Sequence, residues 1–283
     1  DLRMSRGLGD VYKRQDMNTG TGWPFGGPEV SIEDAASKAI FQTYDIEGGQ
    51  EIVQDINVTD KKQQPYSVLS RVMAYDENGR CINLTSHVRK DKLVWKAPAG
   101  KWKVIALYNS KTRQKVKRAA PGGEGYVMNH LSKTAVKNYL SRFNRAFKSS
   151  KTSYPHTFFN DSYEVYQADW TEDFLDQFAR RRGYKLEEHL PEFLSDKRTD
   201  MVSRIISDYR ETIAELLLEN FTRQWTEWAH SHGSKTRNQA HGSPGNLIDL
   251  YTTVDVPECE GFGISDFGIR GLRRDSLTRP NDS

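Results

Sequence analysis

The longest periodic run of apolar positions lies in residues 203–232, where Ile205, Ile206, Tyr209, Ile213, Leu216, Leu217, Phe221, Trp225 and Trp228 recur at helical spacing. That stripe predicts one core-facing helix ended by Gly233. A second helix is predicted from a Ser132 cap to about Phe147, with Val136, Tyr139, Leu140 and Phe143 on one face. A third covers Thr171–Arg182, with Thr171 as its cap and Gly183 as its stop, and a short one covers Asn246–Thr252. Ser31-Ile-Glu-Asp34 resembles a capping box and predicts a further short helix through Ile40, packed by Ala35, Ala36, Ala39 and Ile40. Strands are predicted at Thr157–Phe159, Ser234–Ala240 and Val254–Pro257.

From about Tyr44 to Ser110 the texture is different. Strand-like runs fall at Glu51–Val58, Tyr66–Tyr75, Cys81–Thr85, Leu93–Ala97 and Trp102–Tyr108. Asn78-Gly79 is a hairpin turn signal, and Ala99-Gly100 turns the last pair. This predicts a small all-β, sandwich-like module inserted in an α/β frame. The frame itself alternates strand and helix, the pattern of βα units on a parallel sheet. The expected segmentation is a non-native leader at 1–15, the first part of an α/β barrel at 16–43, the β module at 44–115 and the barrel's continuation at 116–283. The leader is set apart because its tail, GDVYKRQ, resembles a translated adapter sequence. The other end, RPNDS, reads as an interruption before any closing element.

Composition narrows the picture. With 36% hydrophobic and 28% charged residues the chain is of the soluble globular class. Its 41 basic and 38 acidic residues nearly balance, which gives no case for a nucleic-acid partner, and no apolar run is long enough for membrane insertion. The basic cluster Lys111–Arg118 is expected to be a solvated loop. Cys81 and Cys259 form no metal or redox motif. A doubly wound sheet is the alternative frame, but the absence of GxGxxG and Walker loops argues against a nucleotide cofactor.

Candidate chemistry gathers where strands should end, which in a barrel is one shared mouth. The stretch TFFNDSYEVYQADW (Thr157–Trp170) carries Asp161 and Glu164, the latter between Tyr163 and Tyr166. A carboxylate boxed by aromatics suits a raised pKa and general-acid work, and predicts that Glu164 stays protonated near neutral pH. The alternative is that Asp161 and Glu164 only finish a strand and cap a helix. Two Gly-rich loops add Trp23, whose ring suits stacking on a sugar or core packing, and the carboxylate of Glu124. Asn238 and His241 lie at the end of a third strand, and Glu258 and Glu260 follow a fourth. Carboxylates with Trp, Asn and His suit a carbohydrate site, where hydrolysis needs an acid and a second carboxylate.

GTGWPFGGP (Gly20–Pro28), AAPGGEGYV (Ala119–Val127), FFNDSYEVYQADWT (Phe158–Thr171), LLLENFTRQWTEWAHSHG (Leu216–Gly233), TRNQAHGSPGNLIDLY (Thr236–Tyr251) and DVPECEGFG (Asp255–Gly263) resemble, in order, glycoside hydrolase family 106, the bacterial α-L-rhamnosidases. The resemblance implies a (β/α)8 TIM-type barrel, partial here, with accessory β domains. It implies inverting removal of terminal α-L-rhamnose from plant or microbial glycans, oligosaccharide or polysaccharide, and a periplasmic or extracellular location. Glu164 matches the proposed general acid. The base is expected farther along, on a later strand beyond this chain. Calcium has a place in the family's site; Glu260 is the expected metal ligand, with Glu258 and Asn238 as further donors, and Glu258 is also placed near the sugar. No redox cofactor is implied. A non-catalytic carbohydrate-binding protein on a degenerate barrel is the alternative.

Overall fold

The computed structural model describes residues 16–258. They form two compact units: one from residues up to Ala36, Arg113–Tyr166 and Ile213 onward, the other from Ser37–Thr112 and Gln167–Thr212.

In the first unit, four short strands lie side by side in chain order: Asp16–Asn18, Thr157–Asn160, Lys235–Asn238 and Val256–Pro257. All neighbours are parallel, with Asp16 opposite Thr157, Thr157 opposite Lys235 and Arg237 opposite Val256. Parallel neighbours need a long crossover, and helices supply it. The helix Lys133–Ser150 precedes the second strand, Gln224–Ser231 the third and Leu247–Thr252 the fourth. Ser132 caps the first as expected, its Oγ accepting the Ala135 N–H at 3.2 Å, and Val136, Tyr139, Leu140 and Phe143 are buried. Phe158 faces these helices, 6.1 Å from the Phe143 ring and 4.7 Å from that of Trp228.

Asn144, on the outer side of Lys133–Ser150, ties the layer together. Its Oδ1 lies 2.9 Å from Trp228 Nε1, 3.0 Å from His232 Nε2 and 3.4 Å from the Tyr154 hydroxyl. Asn144→Ala should cost about 1 kcal/mol, the net worth of a typical hydrogen bond, in denaturant unfolding. No loss at all would show that the three donors are as well served by water.

The long periodic segment is not one uniform helix. It runs as α-helix over Asp200–Leu216, π-helix over Leu217–Arg223 and α-helix over Gln224–Ser231, with Gly233 at φ +73° just beyond. The wider turns let Phe221 and Trp225 stay buried in parallel, 6.2 Å apart, both edge-on to Phe25. The core aromatic of the first Gly-rich loop is thus Phe25, and Trp23 is half-buried.

The second unit holds two antiparallel sheets. One orders Ser37–Glu47, Lys101–Lys111, Ser67–Asp76 and Cys81–Asn83; the other Glu51–Asp55, Lys92–Lys96 and Val88–Arg89. Ile46, Val72, Leu84, Leu93, Trp95, Trp102 and Val104 share one buried core, with the two Trp rings edge to face at 5.1 Å. The Asn78-Gly79 turn is present, with Gly79 at φ +81°.

Two local expectations fail here. The helix predicted through Ile40 is instead the start of strand Ser37–Glu47, which pairs residue for residue with Lys101–Lys111. Eleven paired positions outweigh a local capping signal, and Ser31 Oγ accepts the Asp34 N–H only within a turn. The helix predicted from Thr171 begins at Phe174, and Thr171 is buried rather than capping by its side chain. Its Gly183 stop is as expected, with φ +80° and an N–H donated to the Ala179 carbonyl at 3.0 Å.

Candidate active site

The strand Thr157–Asn160 leads into residues 161–166, which form no helix. Asp161 turns its Oδ1 back onto the Ser162 N–H at 2.8 Å. The Tyr163 N–H donates to the His241 carbonyl at 2.6 Å. Gly242 permits that approach: it sits at φ +79°, and a Cβ there would lie 2.7 Å from the Tyr163 carbonyl oxygen. The side chain of Gln114 then clamps the next turn. Its Nε2 donates to the Glu164 carbonyl at 2.6 Å, and its Oε1 accepts the Tyr166 N–H at 2.8 Å.

Glu164 is held at its far end as well. Its Oε2 accepts from Lys117 Nζ at 2.5 Å and from the Tyr166 hydroxyl at 2.9 Å, while Lys117 also reaches that hydroxyl at 2.7 Å. Lys117 is fixed at its backbone, exchanging two hydrogen bonds with Trp23 at 2.8 and 2.9 Å. The Arg118 guanidinium lies over the Trp23 ring, 4.8 Å from its centre. Trp23, Lys117, Arg118, Glu164 and Tyr166 therefore form one group.

This overturns two expectations. The Lys117 hydrogen bond, aided by that of Tyr166, holds the Glu164 carboxyl below the usual carboxylate range against an opposing desolvation effect. Glu164 is ionised near neutral pH, not protonated. The flanking tyrosines do not box it: Tyr163 is buried, 5.2 Å from the His130 ring, and Tyr166 offers its hydroxyl. The basic run 111–118 is likewise more than a solvated loop, since it delivers Lys117 and Gln114 to this site.

A second group lies at the ends of the next strands. The Asn238 Oδ1 accepts from Asn160 Nδ2 at 2.7 Å and from the Ala240 N–H at 3.2 Å. The Asn238 carbonyl accepts the Glu258 N–H at 2.9 Å. Arg237 pairs with Glu258 at 3.0 Å and with Asp16 at 2.7 Å, its guanidinium 4.2 Å above the Phe159 ring. His241 joins the first group through its backbone, and its ring is exposed. Glu124 is exposed on the turn whose Gly123 carbonyl accepts from Thr21 Oγ1 at 2.7 Å, and joins neither group. Glu260 lies outside the described residues.

Lys117, Gln114, Arg237 and Asp16 were not among the sequence candidates. Lys115-Val116-Lys117 does carry a period-two signal, with Val116 buried between two exposed lysines. Arg237 stands between the buried Thr236 and Asn238, a charge inside a strand pattern.

Calcium takes several oxygen ligands. No group of three or more acidic, His or Cys side chains is placed for a metal among the described residues. Glu258 is engaged by Arg237, and the Asn238 oxygen already accepts two hydrogen bonds. The described donors do not fit calcium by themselves.

Comparison with known proteins adds three findings. Residues 58–263 match the glycoside hydrolase family 106 pattern, described as alpha-L-rhamnosidase. A curated protein of Formosa agariphila, named "Putative beta-glucuronidase", is 29% identical over 186 residues, 63% of this chain and 16% of that protein. The solved structure of a rhamnosidase from Novosphingobium sp. PP1Y matches with a TM-score of 0.62 at 16% identity, covering 81% of this chain and 39% of that one. At that identity the likeness is one of fold. The chain spans well under half the length of either protein.

Proposed function

Because the chain belongs to glycoside hydrolase family 106, the family described as alpha-L-rhamnosidase, we propose that the protein removes terminal α-L-rhamnose from plant or microbial glycans by inverting acid–base hydrolysis. The four parallel strands are the opening strands of a (β/α)8 barrel in this reading, and the loops after their C-terminal ends form its mouth. The observation that carries the proposal is the position of Glu164. It follows a strand end, its carbonyl is held by Gln114, which also holds the Tyr166 N–H, and its side chain keeps partial exposure while paired with Lys117, whose backbone is bonded to Trp23.

Each residue then has a task. Glu164 is the acid that protonates the departing glycosidic oxygen, and it must first gain a proton. A second carboxylate, on a later strand, is the base; inversion needs roughly 6.5–9.5 Å between the two to admit water. Trp23 offers a ring face once Arg118 moves aside, and Asp161, His241 and Glu124 supply polar contacts to sugar hydroxyls. Asn238 and Glu258 set the floor of the mouth through Asn160 and Arg237. Calcium belongs to this reading only with Glu260 and donors beyond the described residues. The site of action is periplasmic or extracellular, and no helix among the described residues is long and apolar enough to cross a membrane.

One observation favours a second reading, a carbohydrate-binding protein without turnover: the Lys117 ion pair favours the ionised form of Glu164, which has no proton to give. The full-length protein should be incubated with aryl α-L-rhamnoside and aryl β-glucuronide, and the anomeric proton of released sugar followed by NMR. First-formed β-L-rhamnose is the expected result. First-formed α-L-rhamnose would discard inversion, and glucuronate release would transfer the site to the sugar in the curated relative's name. Saturable glycan binding without any release would favour the binding reading.

A further inference from the structure

We infer that Lys117 and Tyr166 are positioning residues that close off the Oε2 of Glu164 in the free enzyme and are displaced from it by the arriving glycan. The inference rests on Glu164 being the acid. Its geometric basis is the saturation of one oxygen. A carboxylate oxygen has two in-plane acceptor sites, and Oε2 already accepts from the ammonium at 2.5 Å and the phenol at 2.9 Å. Neither a proton nor a glycosidic oxygen can be placed on Oε2 until one of these donors leaves.

The two donors differ from the rest of the site in their freedom. The Glu164 backbone is held by Gln114, and the Lys117 backbone by its paired bonds to Trp23. The Lys117 and Tyr166 side chains, by contrast, are exposed. The ammonium rides on a flexible four-carbon stem 4.6 Å from the Tyr166 ring centre, a contact that can hold it after it leaves the carboxylate. The charged and titratable groups facing Glu164 are Lys117, Arg118 and Tyr166. Displacement of the first leaves the carboxylate beside an apolar sugar face; the carboxylate then takes up one proton from solvent on Oε2, the oxygen that Lys117 has left, and holds it for the departing glycosidic oxygen. Lys117 keeps its own proton throughout.

The test is a pair of pH profiles on the full-length protein with an α-L-rhamnoside whose leaving group is poor, so that its departure needs the acid. The profile of kcat/KM reports the free enzyme and that of kcat the loaded enzyme. In Lys117→Met the alkaline limb of kcat/KM should move to higher pH, because Glu164 in the free enzyme then keeps its proton longer. The alkaline limb of kcat should stay where it is, since the pair is already apart. Tyr166→Phe should move the first limb in the same direction by less, and Lys117→Arg should restore it. A kcat/KM limb unmoved in Lys117→Met, or both limbs moving together, would overturn the displaceable pair. Glu164→Gln, assayed alongside, separates the two readings: if it keeps full turnover, Glu164 is not the acid and the inference falls with that assignment.

Discussion

Glu164→Gln is expected to lower kcat on a rhamnoside with a poor leaving group by about 10²–10⁴-fold, the usual weight of general-acid assistance. The amide keeps the shape of the carboxyl and cannot deliver a proton. With a strongly activated leaving group the loss should shrink, because such a group departs with little protonation. KM should change by much less than kcat. The fold should be almost untouched, since Lys117 is exposed and an exposed ion pair contributes little stability. A uniform loss across leaving groups would point to a binding role, and undiminished turnover would remove Glu164 from the chemistry.

Acid should weaken the first unit through His130. That imidazole is buried among Phe25, Tyr163 and Phe221, with ring centres 6.1, 5.2 and 4.6 Å away, and its Nδ1 is 2.8 Å from the Met128 carbonyl. Burial pushes its pKa from 6.5 down to about 4, with the carbonyl opposing the shift. The unfolded chain therefore binds a proton that the folded chain refuses between those two values. Stability contributed by neutral His130 is full above 6.5 and is lost as pH falls towards 4. By linkage this amounts to about 2 kcal/mol between pH 7 and pH 5, and about 3 kcal/mol in total. Denaturant melts of the wild type and His130→Asn at several pH values check it. The difference between their curves should narrow or reverse on acidification, because only the wild type carries this titration. Parallel curves would show that His130 binds its proton equally well in the folded and the unfolded chain. The effect is expected to reach the candidate site, because the Tyr163 ring packs on His130 and Tyr163 directly precedes Glu164 in the chain.

The local signals that proved readable were those whose cause is also local. Ser132 and the stripe from Val136 to Phe143 specified a helix, Asn78-Gly79 a hairpin, and Gly183 a stop, and each is found. The parallel sheet could be anticipated because alternating strand and helix leave few other arrangements. Strand Ser37–Glu47 escaped notice because its partner lies more than fifty residues away, while Ser31 and Asp34 offered a helical start at hand. The π-turns at Leu217–Arg223 escaped because one face of a short apolar segment looks the same at either pitch. Glu164 was legible as a carboxylate after a strand. Its charge state was not, because that depends on a lysine 47 positions earlier and on which way two tyrosine rings point.

The cation on the third parallel strand bears on how that sheet is assembled. Arg237 stretches across Phe159 on the second strand to Asp16 on the first, and sideways to Glu258 beyond the fourth. Strands of two to four residues carry few backbone bonds with which to recognise one another. A slip of one position would turn Arg237 to the opposite face and leave Asp16 and Glu258 without their common partner. The arginine thus acts as a spelling check on the sheet: a mispaired arrangement strands two negative charges, whereas the correct one gives both the same guanidinium as a partner.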